Sequence, residues 1–364
     1  MLQKEIEAKL AQFYDPYLER DLLTAKAVKR IAIEKDQINI EIVLSYPFNN
    51  IKSDMIATIK SLITPIAGGR HIHLTLTSQI EAHTGKSGLR SLPNVKNIIA
   101  VASGKGGVGK STIAINLALA LAQEGAQVGI LDADIYGPSQ PTMLGASGEK
   151  PQLEDGSFLP IVRHGIQSMS IGYLIDQNTP MVWRGPMIGK AMQQLLNDTH
   201  WYALDYLIVD LPPGTGDVQL TLCQKIPVSG AVIVTTPQDL ALLDVRRACE
   251  MFQKLEVPIL GIVENMSTYH CPHCGNEDKI FGEGGAAKLA QEYGHSILGM
   301  MPLDVSIREM TDNGNPPVVQ QPNGLYAKTF GEIARHAAAK LALQAKDYSA
   351  KFPKIVIKHD KKEE

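Results

Sequence analysis

Gly104-Lys105-Gly106-Gly107-Val108-Gly109-Lys110-Ser111-Thr112 fits the phosphate-binding pattern G-x-x-x-x-G-K-[ST]. The apolar run 97–103 before it predicts a buried strand, and the apolar-periodic stretch 112–123 after it predicts a helix. In that context the glycines let the backbone curl, so that successive N–H groups face phosphate oxygens. The helix N-terminus adds its partial positive charge. Lys110 is placed to reach the β- and γ-phosphates of ATP, and Ser111 to ligate Mg²⁺. All nine residues, 104–112, are therefore candidate nucleotide contacts.

Two further apolar runs end in carboxylates. Segment 128–131 leads into Asp132-Ala133-Asp134, and 204–209 leads into Asp210-Leu211-Pro212-Pro213-Gly214-Thr215-Gly216-Asp217. Carboxylates at the C-terminal ends of parallel strands face the crevice where open α/β sheets bind ligands. Asp210 fits an aspartate that holds Mg²⁺ through water. Gly214 fits a switch glycine whose N–H senses the γ-phosphate. Each aspartate taken alone is as well explained as a helix cap; the set, placed after the right strands, argues for a site.

The 364 residues carry a formal charge of -3, which offers no electrostatic footprint for nucleic acid. No apolar run approaches the roughly 18 residues of a membrane span, so no membrane partner is expected. The first ten residues are charged and lack a signal peptide's apolar centre. Four cysteines in a chain of this length do not make a disulfide framework, which points to a reducing cytoplasm.

The chain divides into a small unit at 1–84, a polar linker at 85–94, a large unit at 95–345 and a charged tail at 346–364 with one apolar patch at 355–357. In the first unit the pattern predicts helix 3–13, strands 28–34 and 37–45, helix 53–66 and strand 71–77. Ile38, Ile40, Ile42 and Leu44 recur at every second position, with Gln37, Asn39, Glu41 and Ser45 among their neighbours, the period of a strand. From 95 onward strands alternate with helices, which predicts an α/β fold: a mainly parallel sheet covered by helices on both faces.

Cys271-Pro272-His273-Cys274-Gly275 offers two thiols at a spacing that binds one metal or one cluster edge. Cys223 and Cys249 sit in apolar helical contexts and read as packing residues. One chain thus carries half of a four-ligand site, and a symmetric dimer carries a whole one. Three readings stand at this point. One is a cluster bridging two chains. A second is a zinc knuckle completed by His270 or His273. The third is a redox-active C-x-x-C, whose usual place early in a small βαβ unit is not the place it has here.

The motifs K-G-G-V-G-K-S-T, D-A-D-I-Y-G-P-S-Q-P, D-L-P-P-G-T-G-D, E-N-M-S and C-P-H-C-G together resemble the Mrp-type iron–sulfur carrier ATPases. These belong to the deviant Walker A P-loop group, with the MinD and ParA ATPases. That resemblance implies a homodimer, slow ATP hydrolysis and a labile [4Fe-4S] cluster on Cys271 and Cys274. It also implies apo iron–sulfur proteins and a cluster-assembly scaffold as partners. It casts Lys105 as a lysine that contacts nucleotide across the dimer and Asp134 as the carboxylate that positions the attacking water. Asn265 becomes the adenine contact, and 132–141 the first switch. Trp183-Arg184-Gly185-Pro186 resembles a family segment near the dimer interface. The first unit resembles the small domain of iron–sulfur assembly factors, with one departure. Where such domains carry a cysteine after the proline, Pro47 is followed by Phe48-Asn49-Asn50, so docking or a purely structural role is expected of it. The rival readings are a MinD- or ParA-like positioning ATPase and a zinc-stapled nucleotide switch.

Overall fold

Runs such as Ile98-Ile99-Ala100-Val101-Ala102 and Leu207-Ile208-Val209 show no polar alternation, so both their faces must be covered. The computed structural model describes residues 2–83, 85, 89, 91–175, 185–271 and 273–346. Within it these runs form the middle of an eight-stranded sheet. Its spatial order is Ile161–Arg163, Ile166–Ser170, Val128–Asp132, Leu204–Asp210, Val95–Ala102, Gly230–Thr235, Ile259–Glu264, Ile297–Met300. Every neighbouring pair is parallel except the first, an antiparallel edge hairpin. Helices flank the sheet, as expected of this α/β class. Lys110–Gln123 and Leu325–Ala342 pack against one another, as do Gly185–Asp198 and Asp217–Lys225. Helix Lys110–Gln123 is covered nearly all round, because it lies between the sheet and Leu325–Ala342.

The register sets the chemistry. Asp210 pairs with Asp132, and Asp132 with Ser170, so three polar side chains end adjacent strands at one rim of the sheet. The phosphate-loop strand ends beside them.

The first unit holds a three-stranded sheet, Val28–Ile33, Gln37–Leu44 and His71–Ser78, antiparallel then parallel. Ile38, Ile40, Ile42 and Leu44 are buried as their alternation requires. Helix Lys52–Ile63 seats Met55, Ile59 and Ile63, one stripe at helical spacing. It stops short of the predicted 66 and tightens into a 3₁₀ turn at Thr64–Ile66, where Pro65 has no N–H to continue the α-helical hydrogen-bond ladder. The first helix, Leu2–Leu10, is likewise shorter than predicted.

This unit sits on the far end of the phosphate-loop helix. Glu124, the residue that ends that helix, is buried with its carboxylate at the negative pole of the helix dipole. Arg335 of Leu325–Ala342 forms a buried ion pair with it. Asn50 of the first unit adds a backbone N–H at 3.0 Å and a side-chain amide at 3.2 Å, and the Asn49 N–H caps the Glu124 carbonyl at 3.2 Å. The Arg335 guanidinium lies 5.0 Å above the Tyr17 ring. Gly331 leaves room for the pair: a Cβ there would stand 3.2 Å from Arg335 Nη1 and 3.4 Å from Glu124 Oε1.

The tail beyond Lys346, Trp183, Arg184, Pro272 and part of the linker lie outside the described residues. Among the described residues no helix is long and apolar enough to cross a membrane.

Candidate nucleotide site and cysteine hairpin

The loop between strand Val95–Ala102 and helix Lys110–Gln123 depends on glycine at two positions for different reasons. At Gly109 φ is +80°, a left-handed conformation, and a Cβ would stand 2.2 Å from Asn265 Nδ2. At Gly104 a Cβ would lie 2.3 Å from the Asp244 backbone, so helix Asp239–Lys254 closes on the loop only because no side chain intervenes. Ser103 Oγ donates to the Lys105 carbonyl at 2.9 Å and holds the loop's first turn. Lys105, Gly106 and Gly107 are exposed, whereas Val108 is buried. Ser111 and Thr112, at the helix start, are half-buried.

Lys110 is 6 % exposed and its Nζ forms an ion pair with Asp210, with Ser111 Oγ 3.3 Å away. Asp210 is fully buried, and its second oxygen accepts from Gln140 Nε2 at 2.8 Å. Asp132, also fully buried, accepts from the N–H groups of Asp134 (3.2 Å), Ser139 (2.9 Å) and Gln140 (3.1 Å) and from Ser170 Oγ (3.1 Å). Burial, and after it the neighbouring Asp210 carboxylate, push the Asp132 carboxyl up despite these bonds. Asp134 is half-buried; burial raises its carboxyl too, and attraction to Lys110 opposes the rise. The fold thus gathers Lys110, Ser111, Asp132, Asp134 and Asp210 around one rim. Gly214 has φ +100° and donates its N–H to the Ser103 carbonyl at 3.0 Å, so that group must let go before it can meet a phosphate.

Beside the loop lies a cavity of about 230 Å³ whose walls include Ile113, Asn265, Met266, Pro302, Arg308 and Phe330. Asn265 Nδ2 is committed to the Val108 carbonyl at 2.8 Å, which leaves Oδ1 as the group it can offer to a base. Sequence reasoning placed Gln140 only within the 132–141 switch segment, with no role of its own, and did not single out Ser170 or the Arg308 and Phe330 walls. Their only signal was position: Ser170 ends a strand next to Asp132, and the rest arrive by long-range packing.

Asn265 also begins the segment that reaches the cysteines. Ser267 bonds the Met301 carbonyl through N–H and Oγ at 2.9 and 3.1 Å, and the Leu303 N–H bonds the Thr268 carbonyl at 2.7 Å. The chain then forms a hairpin, Tyr269–His270 against Glu277–Asp278. The Gly275 N–H closes its tip on the Cys271 carbonyl at 2.9 Å, with Gly275 at φ +71°. Cys271 is half-buried and Cys274 exposed, both as free thiols. The Cys274 and His273 backbone N–H groups, with the Cys274 thiol, hold the Cys271 thiol below its usual range. Cys223 and Cys249 are buried on helices, and burial pushes the Cys249 thiol up to about 11. Among the described residues no group of three or more His, Cys, Asp or Glu side chains is gathered to hold a metal.

The chain is similar to known proteins over most of its length. The chain is 48% identical over 344 residues to the iron-sulfur cluster carrier protein of Escherichia coli K12, covering 94% of this chain and 93% of that one. It is 54% identical over 278 residues to the carrier protein of the same name from Pseudomonas fragi, covering 76% and 97%. It is 47% identical over 271 residues to the iron-sulfur cluster transfer protein NUBPL of Dictyostelium discoideum, covering 73% and 84%. Among solved structures, a nucleotide-binding protein from Archaeoglobus fulgidus in complex with ADP superposes with a TM-score of 0.57 at 39% identity, over 65% of this chain and 93% of that one. The cell division ATPase MinD of Pyrococcus furiosus shares the fold, with a TM-score of 0.50 at 23% identity over 66% and 97%. Residues 3–74 match the iron-sulfur cluster assembly protein family. Residues 94–338 match the ParA group described as NUBPL iron-transfer P-loop NTPase, and the chain belongs to that family.

Proposed function

We propose that this protein is an ATP-dependent carrier that holds a labile iron–sulfur cluster between two copies of the chain and passes it to apoproteins. One observation carries the reading: the segment that bonds the phosphate loop at Asn265 reaches the first cluster thiol six residues later, at Cys271. Between them it is fastened to Met301 and Leu303, which line the cavity beside the loop. A change of shape at the nucleotide therefore has a short, hydrogen-bonded route to the cysteine hairpin.

The residues divide the work as follows. Lys110 exchanges Asp210 for the β- and γ-phosphates, and the freed Gly214 N–H meets the γ-phosphate. Asn265 Oδ1 accepts from the adenine amino group. The oxygens of Ser111 and Asp210 suit Mg²⁺, a hard cation. When bound, that ion neutralises charge on the β- and γ-phosphates. Asp134, its carboxyl raised by burial, takes the proton of the attacking water. Lys105, exposed on the loop, reaches the partner's nucleotide. The cargo is a [4Fe-4S] cluster, which takes four thiolates, and Cys271 and Cys274 of two chains supply them. None of the four cysteines forms a disulfide, as a reducing cytoplasm would keep them. Apoproteins and a cluster-assembly scaffold are the partners.

Anaerobic purification followed by iron, sulfide and zinc analysis tests the reading. The expected product is brown, with iron and acid-labile sulfide in equal amounts that leave the protein when an apo iron–sulfur protein is added. Colourless protein with stoichiometric zinc would overturn it in favour of a zinc-stapled switch. Colourless protein free of both metals after reconstitution would favour a positioning ATPase.

A further inference from the structure

Gln140 opens the short helix Gln140–Met143 and is fully buried. Its Nε2 donates to Asp210 Oδ2 at 2.8 Å and to the Ser111 carbonyl at 3.3 Å. Both of those partners are acceptors, so the orientation of the amide is fixed by chemistry: turned over, its oxygen would face a carboxylate and a carbonyl. Its backbone N–H holds Asp132 Oδ2 at 3.1 Å. One residue thus ties together the phosphate-loop helix, the aspartate that ends strand Leu204–Asp210 and the aspartate that ends strand Val128–Asp132.

The other end of the amide is the informative one. Gln140 Oε1 is buried and has no hydrogen-bond partner, and the adjacent Ser139 Oγ is in the same condition. Buried polar atoms are nearly always paired, so two unpaired ones side by side at a nucleotide site call for a donor that the protein itself does not supply. Mg²⁺ bound to nucleotide usually keeps several of its waters, and those waters are donors.

We propose that Gln140 is a positioning residue for the magnesium–nucleotide complex: Nε2 fixes the Asp210 carboxylate, and Oε1 accepts from the hydration shell of the ion. The proposal rests on the reading of Ser111 and Asp210 as the magnesium side of the site. It also explains why an amide serves here. A leucine would fill the space but leave Asp210 Oδ2 and the ion's water without partners, and a glutamate would set a third carboxylate against Asp132 and Asp210.

The test compares affinity for a fluorescent ATP analogue in magnesium and in EDTA, for the full chain, Gln140→Leu and Gln140→Glu, with melting temperature recorded for each. The wild type binds more tightly in magnesium. Gln140→Leu loses about tenfold of that magnesium-dependent gain, the scale of outer-shell losses at metal sites, while its affinity in EDTA stays at the wild-type level. Gln140→Glu shifts the other way: its added charge strengthens the magnesium dependence. A loss of equal size in magnesium and EDTA would overturn the proposal, since that is what a merely structural residue gives. So would a magnesium dependence unchanged in both variants. If the wild type binds the analogue equally with and without magnesium, the underlying reading of Ser111 and Asp210 fails as well, an outcome distinct from the other two.

Discussion

Lys110 carries the charge balance of the nucleotide site. It is the cation paired with Asp210, while Asp132 and Asp134 lie close enough to Asp210 to feel its charge. Lys110→Ala therefore does two things. It removes the charge meant for the β/γ-phosphates, and it leaves Asp210 buried with the Gln140 amide but no counter-ion. The expected result is loss of ATP binding together with a lowered melting temperature, read by calorimetric titration and thermal unfolding. Asp134→Asn differs because Asp134 is half-buried and unpaired with the lysine; it keeps ATP binding and loses hydrolysis. Equal turnover in wild type and Asp134→Asn would remove Asp134 from the catalytic step. Lys110, Ser111 and Asp210 were legible because spacing along the chain announces them. Gln140 was legible only as part of the 132–141 segment and Ser170 not at all, since their side-chain partners lie 29 to 70 positions away and are brought together by the tertiary fold.

At the scale of elements, long apolar strands and the phosphate-loop helix could be read directly, with ends shifted by two residues or so. The loop strand runs Val95–Ala102 and the helix starts at Lys110. The edge hairpin Ile161–Arg163/Ile166–Ser170 was missed, although His164 and Gly165 at φ 49° and 79° make the two-residue turn that joins such strands. A three-residue strand shows too little alternation to be seen without its turn. The cysteine hairpin is as short, but its thiols marked it. Its conformation supports a test of which cysteines hold cargo. Cys271→Ser and Cys274→Ser should each lose reconstituted iron and the visible absorption. Cys223→Ser and Cys249→Ser should keep both, because those side chains are buried on helices among apolar neighbours. Iron retained by the Cys271→Ser/Cys274→Ser double variant would move the site elsewhere.

Across the whole molecule, two of the helices that line the cavity beside the phosphate loop, Lys110–Gln123 and Leu325–Ala342, also meet the first unit through Glu124 and Arg335. The departure in the first unit, Phe48-Asn49-Asn50 in place of a cysteine, lies at this contact: Asn49 caps the phosphate-loop helix at the Glu124 carbonyl, and Asn50 bonds the Glu124 carboxylate. Sequence pattern gave no hint of it, since ion pairs and caps between units leave no periodicity. Arg335→Met should destabilise the chain by about 3–5 kcal/mol, the cost of an uncompensated buried charge. Adding Glu124→Gln should recover much of that loss in denaturant unfolding; losses that simply add would show the two side chains to be independent. If two chains share one cluster, native mass spectrometry of the anaerobically reconstituted protein should record two chains carrying a single four-iron, four-sulfide cluster; a monomer with a complete cluster would rule the shared site out.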